Sequence, residues 1–508
     1  MLAQKERDFQ PCLASLEKLV PQDNFYRKVE AKLDLNFVRE LVKDKYCWWN
    51  GRPSIDPVVF FKLQLIMFFE GIRSERQLME MVNLNLAYRW YIGYDLNEKV
   101  PNHSALSKIR DRYGFEVFQK FFEKIVELCI EAGLVWGEEL YFDGTKIRAN
   151  AALNGMVPRW YWEAKQHIGE LFDQEETNHK ESEQIKAEKP ASIPARLMEK
   201  YDGTRITTRK THWYTRTTDS KVSPTDPDAS PMKSSDNGKA SLGYHTHYIV
   251  DGGKARIILV ALTTPSSIMD NTPMLDMERW ARFRWSISPS IAVGDRKYGT
   301  IPNIVGLEQD GMKAYTPTSD FSQRNKFYSY EHFKYDVERD LFICPQDHEM
   351  PLHKRSKSEH TFVYRANAKT CDACPVKAEC TDSKSGRYLR RSFFQEYLDR
   401  AKSYLQTEAY KKAMRKRQVW VEPLFGEGKQ WHGMRKFRLR QLQKVNIEGL
   451  IRASGQNIKR LLKRQNKPIH PPAQENRAVL ALPKPFFAIF HALANFKWAI
   501  LGQLSPCH

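Results

Sequence analysis

Tyr141-Phe142-Asp143-Gly144-Thr145-Lys146-Ile147-Arg148-Ala149-Asn150 is the stretch whose reading decides the fold. The preceding run, Leu134 to Leu140, ends a helical segment and enters a strand. Leu140, Phe142 and Ile147 are strand formers. Asp143 stands among them and Gly144 follows at once. Asp-Gly also reads as a turn signal. Within a buried strand, however, a carboxylate is costly unless something pairs with it. A hard divalent cation such as Mg²⁺, which prefers oxygen ligands, is one such partner. The rest of the chain decides between turn and strand.

The chain has 508 residues, enough for several domains and a large core. Eighty Lys and Arg oppose 61 acids, a formal charge of +19. An excess of that size points to a polyanionic partner, nucleic acid first, with a membrane surface the weaker alternative. Met1 to Phe9 is charged with no apolar run behind it, so no secretory signal is expected. The apolar stretch Pro485 to Leu501 is interrupted by His491, Asn495 and Lys497, and reads as an amphipathic tail.

Working outward, residues 1–132 read as an all-helical N-terminal domain. Asp56 to Phe69 is apolar on most faces, which predicts a buried helix. Ser74 reads as a cap for Glu75 to Val82, and Asn83 to Tyr91 continues as another helix. Pro101-Asn102-His103-Ser104 opens a helix over Ala105–Arg112 that ends near Gly114, and Phe115–Ala132 follows. Short helices and tight turns fit a DNA-binding unit, although any small bundle has the same pattern. Arg73, Arg76, Arg89, Lys108, Arg110 and Arg112 permit DNA contact, but charged helix faces are commonly just solvated. The tryptophans Trp48, Trp49, Trp90, Trp160, Trp162 and Trp213 fit either core packing or stacking on bases, and core is the preferred reading.

Residues 133–465 read as one catalytic domain interrupted by insertions at 153–240 and 320–395. In the first insertion Trp160–Lys200 reads as helix and Thr204–Asp236 as linker. Gly243–Val250 and Ala255–Leu262 flank Asp251-Gly252-Gly253 as a hairpin. Asp270–Phe283 reads as a helix capped by Asp270 or Asn271 with Pro273 in its first turn. A strand at Ser288–Val293, a helix over 300–310 and a strand at Met312–Tyr315 complete a mixed α/β sheet with helices packed on it. The tail 466–508 is Pro-rich, then apolar.

Three acids stand out by position. Asp143 lies in the first strand and Asp295 closes a later strand of the same sheet. Glu422 precedes Pro423, a first-turn proline of a helix that runs to Trp431. Between Lys411 and Arg440 ten Lys or Arg surround only two acids, Glu422 and Glu427. Two divalent ions held by two or three carboxylates can activate a nucleophile and stabilise a leaving 3′ oxygen in phosphodiester chemistry. Surrounding positive charge would hold the DNA. The plainer account makes Glu422 a surface partner of Arg417 or Lys429.

These residues carry a resemblance. Phe142–Asn150, then Ala292-Val293-Gly294-Asp295-Arg296-Lys297-Tyr298-Gly299, then Arg417 with Val421–Gly426, Lys429 and Gly433-Met434-Arg435, resemble the DDE transposases of bacterial insertion sequences. The resemblance spans roughly residues 20–465. It implies an RNase H-like sheet flanked by helices, preceded by an all-α domain. It implies Asp143, Asp295 and Glu422 as a triad for two Mg²⁺ (or Mn²⁺) ions. It implies Arg417 and Lys429 as DNA contacts, with the basic run Arg435, Lys436, Arg438 and Arg440 beside them. One departure is clear: related enzymes often have Arg four positions before the Glu, whereas here Gln418 stands there and Arg417 is five before. The implied activity is cleavage of element ends and transfer of the 3′-OH to target DNA. The implied setting is a homodimer in a synaptic complex, in the bacterial cytoplasm with the nucleoid.

Eight cysteines are present. Cys12, Cys47, Cys129 and Cys507 are scattered, while Cys344, Cys371, Cys374 and Cys380 fall within 37 residues. Soft thiolates favour a closed, structural Zn²⁺ site, and His348, His353 or His360 could replace one of them. Two other readings stand beside the transposase: an RNase H-like nuclease that cuts without joining, and a zinc-containing DNA-binding regulator without catalysis.

Overall fold

The structure is a computed structural model that describes residues 14–47, 54–167, 220–233, 239–318 and 326–463. Cys12, Cys507, Trp48, Trp49, Trp213, most of the insertion helix over 160–200 and the tail 466–508 lie outside those residues.

Short helices α1 (Leu16–Leu19), α2 (Phe25–Lys32) and α3 (Phe37–Val42) lead into α4 (Pro57–Phe69), α5 (Glu75–Leu84), α6 (Leu86–Ile92) and α7 (His103–Glu131). Their starts follow local chemistry. Asp56, Ser74, Asn85 and Asn102 each accept a backbone N–H of the first turn they precede. Helix α7 is broken at Gly114, whose φ of +67° only glycine adopts cheaply. The two helices read on either side of that glycine are therefore present. Helix α4 is buried on all sides from Val58 to Phe68, as its mostly apolar sequence requires, with Lys62 and Gln64 buried among the apolar residues.

The central sheet contains β1 (Glu139–Arg148), β2 (Ser230–Lys233), β3 (Ala240–Asp251), β4 (Ile258–Pro265), β5 (Ile291–Val293) and β6 (Lys313–Tyr315). The main path runs β4-β3-β1-β5-β6, with β2 beside β3. Strand β3 is antiparallel to β1 and β4, whereas β5 is parallel to β1 and β6 parallel to β5. Helices α8 (Met274–Trp285) and α9 (Ile301–Gln309) connect the parallel strands. This is the RNase H-like mixed sheet with a helical N-terminal region that the sequence predicts. Leu140, Tyr141, Phe142, Ala292 and Val293 are at most 2% exposed, so the middle of the sheet is buried on both faces. Each such side chain contributes roughly 1.5–3 kcal/mol.

Helices α10 (Gln395–Tyr404), α11 (Glu408–Trp420), α12 (Glu422–Trp431) and α13 (Leu442–Lys463) follow. Helix α13 packs against β4 and α7, joining the sheet and the N-terminal helices in one core. Asn446 accepts from Thr263 N and donates to Thr263 O, both at 2.8 Å. Asn457 does the same for Ile258, both at 2.9 Å. Asn446 and Asn457 thus pack α13 on β4 and cap its backbone, and Glu448 accepts the N–H groups of Arg438 and Leu439. At Gly455 an added Cβ would lie 2.2 Å from the Phe68 ring, so α13 meets α4 with no room for a side chain.

Three local readings are corrected. Helix α8 begins at Met274 with Pro273 outside it, and Asp270 is drawn into ion pairs rather than capping. Part of the stretch read as linker forms β2, because the open flank of β3 offers Ser230–Lys233 a backbone partner. Its neighbour Asp226 is buried, accepting Tyr244 Oη–H at 2.6 Å and Gln441 N–H at 2.9 Å. Trp160 is 71% exposed, not core. It sits at the start of a helical stretch over 159–167, its ring edge-on to Tyr161 with centroids 6.0 Å apart.

The second insertion holds a separate antiparallel sheet of strands Lys334–Asp336, Leu341–Ile343, Glu349–Ser356, Thr361–Arg365 and Tyr388–Ser392. It has its own small core of Phe333, Phe342, Met350, Tyr364, Ala366 and Leu389.

Candidate active site

Three distant segments bring the acids together. Asp143 is in mid-β1, opposite Tyr248 of β3. Strand β5 runs parallel to β1 with Val293 level with Tyr141. Asp295 lies two residues past the end of β5, near enough to Asp143 for its charge to act on that carboxyl. Tyr248 stacks on Phe425 with ring centroids 4.7 Å apart, which lays α12 over this face and puts Glu422 at the helix's first position. Arg417, near the end of α11, ties the set: Nη1 is 3.6 Å from Asp143 Oδ2 and Nη2 is 3.2 Å from Glu422 Oε1. Asp295 Oδ1 accepts the N–H of Lys297 at 2.8 Å, which fixes the turn after β5.

Burial dominates the electrostatics. It pushes the Asp143 carboxyl up to about 6, against the pull of Arg417 and of the Gly144 N–H, and the charges of Asp295 and Glu422 push the same way as burial. Arg417 lies between Asp143 and Glu422 and offsets part of the repulsion among the acids. Glu422 is the wet member, its side chain 53% exposed against 14% for Asp143. Gly144 has a steric reason: a Cβ there would lie 3.2 Å from His247 Nδ1 and 3.4 Å from Tyr298 Oη.

Sequence reasoning missed a supporting network. Asp270 Oδ1 lies 2.8 Å from His245 Nδ1 and its Oδ2 is 2.9 Å from Lys297 Nζ. Its carboxyl is held well below the usual range by His245 and Lys297, in spite of burial. Lys297 is raised by Asp270 first and also by Asp295 and Asp143, so its charge belongs to the acid group. Only the position of Lys297 beside Asp295 hinted at this.

Glu427, the other acid of the basic segment, is committed elsewhere. It pairs with Lys459, with Arg460 at 3.5 Å and with His432 at 3.5 Å. These partners hold its carboxyl far below the usual range.

The basic residues divide. Lys429 is in the last turn of α12, and its carbonyl accepts Arg435 Nε–H at 3.3 Å. Lys436 bridges to Arg148 at the end of β1. Arg440 Nε donates to Asn150 O at 3.0 Å from an exposed position. Arg438 turns inward to Glu75 at 2.6 Å. In the N-terminal region Arg89 caps the carbonyls of Leu96 and Glu98, and Arg110 is buried against Glu75.

Cys344, Cys371, Cys374 and Cys380 line one cavity of about 160 Å³, together with His348; His353 and His360 are not in its wall. Cys344 Sγ accepts the His348 N–H at 3.4 Å, a bond suited to a thiolate. Burial pushes the Cys380 thiol up, and each of the other three cysteines adds to that. Among the described residues no three His, Cys, Asp or Glu side chains stand close enough to form a ready metal cage. The thiols line a wall, and the acids spread around Arg417.

The sheet order is that of an RNase H-like fold. Comparison with known families gives the particular one. A family model described as a transposase domain (DUF772) matches residues 14–112, and one described as a transposase DDE domain matches residues 343–462. The chain belongs to the DDE transposases of the insertion-sequence type. The second match takes in Arg417, Glu422 and the four cysteines, while Asp143 and Asp295 lie between the two matched stretches. Neither a curated protein nor a solved structure gives a match. The protein is therefore a DNA transposase, of a family with polynucleotidyl transferase and endonuclease activity that works with divalent metal ions. Among the described residues no helix is long and apolar enough to cross a membrane.

Proposed function

We propose that Asp143, Asp295 and Glu422 are the catalytic triad, cutting the ends of the element and joining their 3′-OH groups to target DNA. The observation that carries this reading is the reach of one guanidinium, Arg417, to both Asp143 and Glu422, with Asp295 close enough to Asp143 for their charges to interact. The donor set fits Mg²⁺ or Mn²⁺: three carboxylates, one of them raised by burial and, to a lesser degree, by the charges of the other two. Two ions held there would supply Lewis acidity to the attacking oxygen and to the leaving 3′ oxygen.

The chain's own groups do the rest. Asp143 and Asp295 are set by strand register and Glu422 by the Pro423 helix start, so their relative positions are fixed before DNA arrives. Arg417 balances the acids in the free protein and is placed to hold a DNA phosphate once cations take over that task. Lys429, Arg435, Lys436 and Arg440 continue the positive surface along the path away from Glu422. We assign Arg438 to the same surface through its backbone stretch, its side chain being engaged with Glu75. We propose that residues 1–132 form the DNA-binding N-terminal domain of a cytoplasmic, nucleoid-associated enzyme. Residues 133–465 form the catalytic domain, and two copies synapse two ends. Cys344, Cys371, Cys374 and Cys380 hold a structural Zn²⁺, supported by their shared cavity and the amide bond to Cys344.

The test is a Mg²⁺-dependent cleavage and joining assay on a supercoiled plasmid carrying the gene with its native flanks. Wild type is compared with Asp143→Asn, Asp295→Asn and Glu422→Gln. Cuts at the flanks with joined products, lost in all three variants, support the reading. Cutting without joining supports the nuclease. Variants that cut as well as wild type defeat the triad.

A further inference from the structure

A second cavity, of about 50 Å³, lies where the loop after α4 meets the loop after α12. Arg73, Arg110, Arg438 and Arg452 all line it. Two acids answer these four guanidinia. Glu75 pairs with Arg110 and Arg438, and Glu448 pairs with Arg452. Arg73 Nη1 and Arg452 Nη2 both donate to a single carbonyl, Gly433 O, each at 3.1 Å. Arg110 and Arg452 are only 3% and 6% exposed. Each retains a buried nitrogen, Arg110 Nε and Arg452 Nη1, with no acceptor among the described residues. A buried cationic donor without an acceptor is strongly disfavoured. A site with a charge surplus and several orphaned N–H groups calls for an anion with several oxygens. Guanidinium forks match phosphate best.

We propose that this cavity is a phosphate-group site, occupied by a backbone phosphodiester of bound DNA, with Arg110, Arg452 and Arg73 as donors. The choice of DNA as source rests on the transposase reading; the phosphate chemistry does not. Its position has a consequence for the acids. The segment that closes the cavity continues to Phe437, whose N–H donates to Arg148 O at 2.8 Å at the end of β1. A phosphate bound here therefore fastens the N-terminal helices to the strand that carries Asp143.

The test uses the full chain without cleavage, so its failure leaves the triad reading standing. Thermal melts are run against inorganic phosphate, with chloride holding the ionic strength constant. Wild type, Arg73→Gln and Arg452→Lys are compared; Arg73 is on the exposed rim, so its loss leaves the fold intact. The expected result is a saturable rise in Tm with phosphate that chloride does not give, and an affinity about tenfold weaker in each variant. Binding of an element-end duplex should weaken by a similar factor in Arg73→Gln, with competition by phosphate. No phosphate-specific rise, or an unchanged response in Arg73→Gln, overturns the site. A phosphate response lost in the variants with unaltered duplex binding overturns DNA as the occupant and leaves a free phosphate in its place.

Discussion

The acid pocket and the cysteine pocket are built in opposite ways. Asp143, Asp295 and Glu422 come from three segments more than a hundred residues apart, brought near one another by the packing of β1, the turn after β5 and α12 around Arg417. The four cysteines come from a single insertion with its own sheet and core. Hard carboxylates around a guanidinium would suit exchangeable cations that take part in a reaction, whereas soft thiols lining one cavity would suit one ion that stays. The difference teaches that long-range assembly and local assembly serve different needs. The first lets the whole fold tune a reactive group; the second lets a small module stand by itself.

The largest effect expected is on the acid pocket. Asp143→Asn, Asp295→Asn or Glu422→Gln should each lower cleavage by at least ~10³-fold, read on the supercoiled plasmid, with melting curves close to wild type. If the cysteine pocket is a separate module, removing its metal should do the reverse. Cys371→Ser or Cys380→Ser should release the chain's zinc, measured by a chromogenic chelator, and cost several kcal/mol of local stability. Limited proteolysis should then cut within 334–392 first, and a zinc-free wild-type preparation of unaltered stability would break the comparison.

The two acids of α12 sharpen it further. Glu427→Gln leaves Lys459, Arg460 and His432 without their carboxylate and should cost about 2–3 kcal/mol in denaturant unfolding, discounted for partial exposure. Residual cleavage per folded molecule should match wild type, the inverse of Glu422→Gln. The smallest effect concerns acid. Burial depresses His247 to about 3, so it stays neutral in the fold while the unfolded chain takes up a proton below its ordinary value. Protons then favour the unfolded state, and stability should fall as pH drops from about 6.5 toward 3. At pH 4.5 the loss attributable to His247 is about 2–3 kcal/mol, and His247→Gln should flatten that part of the urea-midpoint profile.

Much of the sheet was legible because its signals are local. Leu140, Phe142 and Ile147 mark β1, and Pro423 marks the start of α12 and with it the place of Glu422. Glycine at 114 marks the break in α7 in the same way. What escaped is pairing across the chain. Asp270 reads as a helix cap, yet its partners are His245 on β3 and Lys297 after β5. Ser230–Lys233 has weak strand propensity and becomes β2 only because β3 has a free flank there. Arg438 reads as part of a DNA-facing run, but Glu75, far back in the N-terminal helices, draws its side chain inward. No window of sequence contains both partners of these contacts.

The two asparagines of α13 reach beyond the packing of that helix. By giving Ile258 and Thr263 the hydrogen bonds a neighbouring strand would give, they act as a false neighbour and end the sheet at β4. No second chain can lengthen the sheet on that side without first pulling α13 away. If two copies hold two DNA ends as proposed, they would meet through helices, loops or the DNA itself, and not by zipping their sheets together at that border.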